Sequence, residues 1–221
     1  MDVLGRGPVD AAPVFDDAFR ARLDDLLRWR RDVRRFRRDP LPQGALDALI
    51  ARACLAPSVG LSQPWRFVTV DDPARRAAVL EDFRRRNAEA LAGYTGEHAA
   101  LYARLKLAGL EEAPVQLAVF ADRATAQGHG LGRRTMPETA EYSAVMAVYA
   151  LWLAARARGI GMGWVSILDP ARVAAALNVP ADWRFIGYFC LGYPEAADAV
   201  PELERQGWEQ RRPAEAFVVR R

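Results

Sequence analysis

The segment Trp29-Arg30-Arg31-Asp32-Val33-Arg34-Arg35-Phe36 sets four arginines around one carboxylate, just ahead of the break at Pro40 and Pro42. Arginine offers a rigid fork of donors that grips phosphate at two points, and it stays charged at any working pH. Such a cluster suits an anionic ligand. Asp32 is either a clamp that spaces its neighbours or a chemical group held over whatever they bind. Residue type and spacing alone favour the clamp, since a carboxylate among guanidinium groups is most simply a salt bridge.

Two further stretches carry polar groups in unusual settings. Ala56-Pro57-Ser58-Val59-Gly60-Leu61-Ser62-Gln63-Pro64-Trp65-Arg66-Phe67 is a loop rich in hydroxyl and amide groups, between a helical pattern and a strand pattern. Gly159 to Asp169 reads as a glycine-bounded strand with Ser166 near its end. Alone, Ser166 is a strand-end hydroxyl satisfied by backbone, and Gly161-Met162-Gly163 marks close backbone packing. No G-x-G-x-x-G or Walker loop, nucleophile elbow or Cys–His pairing is visible. His98 and His129 read as solvated groups, and Cys54 and Cys190 as buried reduced thiols, so no metal site is expected.

Composition narrows the class. The chain has 221 residues, 51% hydrophobic and 27% charged, enough for one large domain or two small ones with a substantial core. A net charge of +3 is too mild for a broad nucleic-acid surface. Lys106 is the only lysine, so basic charge is nearly all arginine, a bias put down to genome composition outside the cluster. No signal-peptide core or membrane-length apolar run is present, and a cytoplasmic protein is expected.

Periodicity supplies the elements that must position these groups. Helices are predicted from Phe15 to about Trp29, over 43–56, 73–92 and 97–108, from a capping box at Thr135-Met136-Pro137-Glu138 to about Arg158, and over 170–178. Strands are predicted at 65–70, 114–121, 159–167 and 185–191, the last closed by Gly192-Tyr193-Pro194. Residues 217–221 read as a further edge strand, paired within the chain or with a partner. The helix before Arg158 is apolar around most of its circumference, which marks it as central or as an interface element. Elements mix without strict βαβ alternation, so the fold class is α+β with a mostly antiparallel sheet flanked by helices.

In their order and spacing, the arginine segment, the 56–67 loop and the 159–169 strand with Gly192-Tyr193-Pro194 resemble the nitroreductase-like flavoprotein superfamily, over residues 16–210. Ordinary nitroreductases usually carry Ser where this chain has Asp32. That difference and the run Trp164-Val165-Ser166-Ile167-Leu168-Asp169-Pro170 are similar to the branch that destroys reduced FMN with oxygen to make the lower ligand of vitamin B12.

The resemblance implies a single domain over 1–221, with an N-terminal arm at 1–14, a helical lid over the flavin site at about 85–108, and a C-terminal arm at 195–221. It implies that Arg30, Arg31 and Arg34 hold FMN at its phosphate and ribityl end, with Asp32 and Val33 also in the FMN site. Ser58, Leu107 and Ser166 are implied as further FMN contacts, and Asp32 with Ser166 as the catalytic pair. Reduced FMN is then the substrate and oxygen the co-substrate, with 5,6-dimethylbenzimidazole and erythrose 4-phosphate as products. An external flavin reductase and a homodimer follow from the same resemblance.

Independent chemistry agrees: the phosphate dianion suits an arginine fork, and oxygen chemistry on a reduced flavin needs water excluded by a movable cover. Two rivals stand beside this expectation. One is an NAD(P)H-dependent nitro- or flavin reductase that retains FMN, against which Asp32 in place of Ser argues. The other is a non-catalytic module whose arginines bind an acidic partner or nucleic acid, which the mild net charge disfavours.

Overall fold

The computed structural model describes residues 12–221, so most of the expected N-terminal arm lies outside the described residues. The first element, α1 (Asp17–Trp29), starts where the Asp16 carboxylate accepts the Phe19 N–H at 2.7 Å, and it ends at the arginine segment. Next come α2 (Ala45–Ala53), β1 (Trp65–Thr69), α3 (Pro73–Ala92), α4 (Gly96–Arg104) and β2 (Val115–Asp122). They are followed by α5 (Thr139–Arg156), β3 (Gly161–Val165), α6 (Pro170–Leu177), β4 (Trp183–Gly192) and the one-turn α7 (Glu202–Arg205).

The strands form one sheet in the order β1-β2-β4-β3, with every ladder antiparallel. Side chains alternate across a strand, so β2 presents Leu117, Val119 and Ala121 to one face and Ala118 and Phe120 to the other. The first face packs against α2 and α5 through Leu49, Ala53, Ala144, Ala147, Val148 and Leu151. The second packs against α3 and α6 through Val79, Val173 and Leu177. Burial on both faces is why β2 reads as a continuous apolar run and not as an alternating one. Its buried polar member, Gln116, is paired inside the core: its Nε2 donates to the Leu110 carbonyl at 2.7 Å, and Tyr188 Oη donates to its Oε1 at 2.7 Å.

Alanines on the inner face of α5 let the helix sit close on the sheet, while Tyr142, Val145, Met146 and Tyr149 are exposed on its outer face. The unusual apolar pattern of α5 therefore comes from one buried face and one uncovered face. Helix α1 buries no residue, and Phe15, Phe19, Leu23, Leu27 and Trp29 are all partly open to solvent. Between α1 and the end of α5 lies an open apolar groove of about 630 Å³, lined by Phe19, Leu23, Leu26, Trp29 and Arg156 among others.

Three expectations are corrected. The capping box at 135–138 does not form: α5 begins at Thr139, Glu138 makes no side-chain cap, and the Thr135 hydroxyl donates to the Gly132 carbonyl instead. The preceding residues are already coiled in successive turns, with Met136 N–H on Gly132 O and Ala140 N–H on Pro137 O, so Thr135 is consumed before the helix starts. The helix predicted over 97–108 ends at Arg104, leaving Leu107 in a loop. Among the described residues, 217–221 pair with no strand; Ala214–Phe217 is a 3₁₀ turn, and the apolar side chains after it are exposed.

Candidate active site around Asp32

Residues 32–37 run along the free edge of β3 and past the end of β4. Val33 N–H donates to the Met162 carbonyl at 3.0 Å, Arg37 N–H donates to the Tyr193 carbonyl at 2.8 Å, and Phe36 is buried beside Pro194. This approach explains the glycines of β3. A Cβ on Gly163 would collide with the Val33 carbonyl oxygen, and one on Gly161 would press into the Val33 side chain. The Gly-Met-Gly spacing thus makes room for the arginine segment, and Gly192-Tyr193-Pro194 holds its far end.

That seating fixes Asp32. Its Oδ1 accepts the Trp164 N–H at 2.8 Å, and its Oδ2 accepts Arg34 Nε at 3.1 Å and Arg34 Nη2 at 2.9 Å. Arg34 is itself held, since Nη1 donates to the Lys106 carbonyl at 3.2 Å. The carboxylate remains partly open, with 30% of the Asp32 side chain accessible against 13% for Arg34. The carboxylate is thus an acceptor of fixed direction with one side open to a ligand.

The other arginines differ in availability. The Arg30 guanidinium lies over the Trp152 ring at 5.0 Å, and its buried Nε has no hydrogen-bond partner among the described residues. Arg31 is tied to backbone carbonyls: Nε to Asp198 at 3.0 Å, with further contacts to Arg28, Arg30 and Ala199. Burial lowers the Arg31 pKa, helped by the positive charges of Arg211 and Arg30. A cavity of about 160 Å³ is lined by Arg30, Arg31, Asp32, Arg34, Glu202 and Arg211 among others. Crowded guanidinium groups and an orphaned Nε fit a phosphate monoester, whose charge would relieve their repulsion.

The remaining expected residues fall into two groups. Leu107 is half-buried directly after Lys106, whose carbonyl accepts from Arg34, so the loop after α4 reaches the arginine cluster. Ser166 is exposed one residue past β3, not paired away in the sheet. It lies two residues, or roughly 7 Å of extended chain, beyond the Trp164 amide that holds Asp32.

Ser58 lies elsewhere. Its Oγ accepts the Gln63 N–H at 3.1 Å, and the next amide, Val59 N–H, donates to Ser143 Oγ on α5 at 3.0 Å. Ser143 precedes Trp152, where Arg30 rests, by nine residues, or about 14 Å of helix. Within one chain Ser58 is therefore separate from the arginine cavity. Its loop is shaped by positive φ at Gly60, Leu61 and Gln63 and braced by Gln127, whose Nε2 donates to Leu61 O at 2.8 Å and Gln63 Oε1 at 3.0 Å.

Sequence reasoning missed Arg211, Glu202 and Asp82. Arg211 and Glu202 sit far along the chain in an arginine- and acid-rich arm where nothing marks them out. Asp82 is buried, and its Oδ2 accepts the Asp169 N–H at 2.7 Å, which locks α3 to the turn after Ser166. Asp169 in turn pairs with Arg86 and caps α6 by accepting the Ala171 N–H at 3.0 Å. Among the described residues no group of three or more His, Cys, Asp or Glu gathers as a metal site, and no helix is long and apolar enough to cross a membrane.

A sequence profile of the Nitroreductase family matches residues 27–193, from the arginine segment to Gly192-Tyr193. The chain belongs to the nitroreductase family. Within that family it is 61% identical to a 5,6-dimethylbenzimidazole synthase of Rhodospirillum rubrum, over 95% of this chain and 98% of the relative. It is 50% identical to a 5,6-dimethylbenzimidazole synthase of Rhodobacter capsulatus, over 91% of this chain and 97% of the relative. A solved structure of iodotyrosine deiodinase, bound to FMN and 3-iodo-L-tyrosine, superposes with a TM-score of 0.67 at 27% identity, covering 80% of this chain and 91% of that one. The nitroreductase fold is thus reached both from sequence and from the antiparallel sheet.

Proposed function

We propose that this nitroreductase-family chain is an oxygen-dependent oxidoreductase that fragments reduced FMN to 5,6-dimethylbenzimidazole and erythrose 4-phosphate, for cobalamin lower-ligand synthesis. The observation that carries this reading is the 61% identity to a 5,6-dimethylbenzimidazole synthase across almost the whole of both chains. Asp32, fixed at the rim of an arginine cavity by Trp164 and Arg34, supports it. Reduced FMN supplies the carbon skeleton and the electrons, and oxygen is the oxidant.

The chain's own residues divide the remaining work. Arg30, Arg31 and Arg34 neutralise the phosphate, and the orphaned Arg30 Nε is the donor with most to gain. Val33, Ser58, Leu107 and Ser166 contact the rest of the flavin. Asp32 holds or moves a proton at the carboxylate oxygen it shares with Arg34, and Ser166 assists through its hydroxyl. The segment 85–108 acts as a lid that excludes water. An external reductase delivers the reduced flavin, in the cytoplasm. The uncovered faces of α1 and α5 are the surface through which two copies form a homodimer, and across it the partner's 56–67 loop brings a second Ser58 toward the site.

The test is anaerobic loading with chemically reduced FMN, admission of oxygen, and assay for 5,6-dimethylbenzimidazole. Benzimidazole formation supports the proposal. Release of oxidised FMN and hydrogen peroxide alone overturns it. NAD(P)H oxidation coupled to nitro reduction would point to a flavin-retaining reductase, and absence of flavin binding to a non-catalytic module.

A further inference from the structure

We propose that residues 198–211 form a strap by which an anion in the arginine cavity holds the α3–α4 hairpin closed, with Trp208 as the transmitting residue. This rests on the reading of 85–108 as a lid.

One end of the strap is fastened to the arginine segment. The Asp198 and Ala199 carbonyls accept from Arg31, Glu202 pairs with Arg35, and the Asp198 carboxylate accepts Arg205 Nε at 2.9 Å. Arg211 and Glu202 line the cavity itself. Trp208 turns the other way and packs its ring edge-on against Tyr94 at 5.6 Å and against Tyr102 at 6.1 Å. Its backbone N–H donates to the Leu203 carbonyl at 2.8 Å, which ties the residue to α7.

Those two tyrosines belong to the hairpin. Tyr94 lies in the turn between α3 and α4 and stacks on Tyr102 at 5.0 Å, while Tyr102 is buried and donates to Asn87 Oδ1 at 2.8 Å. Trp208 therefore touches the turn and α4 together, and no other aromatic ring of the strap does so.

The coupling follows from reach and charge. Trp208 and Arg211 are three residues apart, a span of at most about 10 Å when fully extended, so a backbone shift at Arg211 is carried to Trp208. Arg30, Arg31 and Arg211 repel one another, and the lowered Arg31 pKa reflects burial first and that crowding second. An anion between them removes the repulsion, holds Arg211 at the cavity and so keeps Trp208 on the tyrosines.

Hydrogen exchange on the full chain tests this without turnover, using oxidised FMN, riboflavin and inorganic phosphate as probes. FMN is expected to slow exchange at residues 94–104 by about tenfold or more, phosphate to do so at higher concentration, and riboflavin to leave it unchanged. In Trp208→Ala, FMN binds but 94–104 stays unprotected, and Trp208→Phe restores most of the protection. Should Trp208→Ala misfold, Arg211→Gln at saturating FMN gives the same loss from the other end. Equal protection in the variants and the native chain, or equal protection by riboflavin, overturns the strap while leaving benzimidazole synthesis standing. Failure of FMN and phosphate to bind at all overturns both. In turnover, Trp208→Ala should shift product from benzimidazole toward hydrogen peroxide with little change in KM for reduced FMN.

Discussion

Asp32 and Arg34 are two residues apart in the chain, yet their ion pair is completed by the backbone of a strand more than a hundred residues later. Oδ2 takes both Arg34 contacts, at 3.1 and 2.9 Å, and Oδ1 takes the Trp164 amide at 2.8 Å. The carboxylate is a clamp on Arg34 and on the Trp164 amide at once. Being clamped is what gives it a fixed direction.

Replacing Asp32 by Asn separates the two roles. The amide oxygen can still accept from Trp164, so the segment stays seated and FMN still binds. Its uncharged side chain cannot act as a base, and benzimidazole formation should fall by at least roughly a hundredfold. Flavin binding by fluorescence quenching and product by chromatography give the two readouts; full activity in Asp32→Asn would leave the residue a clamp alone.

Gly163→Ala attacks the same carboxylate through the backbone. The added methyl meets the Val33 carbonyl oxygen, a backbone atom that cannot swing aside as a side chain would. Pushing residues 32–33 off β3 should cost about 1–3 kcal/mol of stability and reduce activity by more than that loss explains. Urea unfolding and product assay on one preparation check it. Native-like values for both would mean that the edge has slack.

Tyr188→Phe tests the buried polar bridge that ties Gln116, and through it the loop at Leu110, to the sheet. The substitution keeps the ring and strands the Gln116 oxygen in the core, which should cost about 1–3 kcal/mol in thermal or urea unfolding.

The Arg86–Asp169 pair gives the acid limb of stability a definite sign. The Arg86 hydrogen bond, assisted by the amides of Ala171 and Arg172, holds the Asp169 pKa below its ordinary 3.8. A lowered folded value means that the contribution is complete above the unfolded value and is lost as pH falls through the folded one. Unfolding midpoints followed from pH 5 downward should therefore decline below about pH 4, and Asp169→Asn should flatten part of that decline.

Thiol chemistry should be silent in the folded protein. Burial pushes Cys190 up to about 12 and raises Cys54, and both are free. Iodoacetamide at pH 8 should leave Cys190 unlabelled until denaturant is added, because the thiolate is the reactive form. Rapid native labelling there would contradict the packing around β4.

Much of the fold was legible from local patterns. Strands 65–70 and 114–121, the helix at 73–92 and the Asp169-Pro170 helix start lie within a residue or two of their observed bounds, because each carries its own punctuation in Pro, Gly or a capping Asp. The failures fall where tertiary contacts outbid local rules. Thr135 satisfies its hydroxyl in a turn that the loop at 127–134 has already wound, and the 217–221 run, though rich in β-forming residues, joins no sheet among the described residues.

The candidate site divides in the same way. By itself the sequence determined the arginine cluster, the lone carboxylate and the family they resemble, since residue type and order are chemical facts that need no coordinates. Only the tertiary structure decided which arginines are spoken for by carbonyls, that Arg211 joins them from the end of the chain, that Ser58 stands apart from them, and that Trp164 aims Asp32. Those outcomes depend on which distant backbones meet across the free edge of β3. Gly161 and Gly163 permit that meeting, and no local pattern in the arginine segment records it.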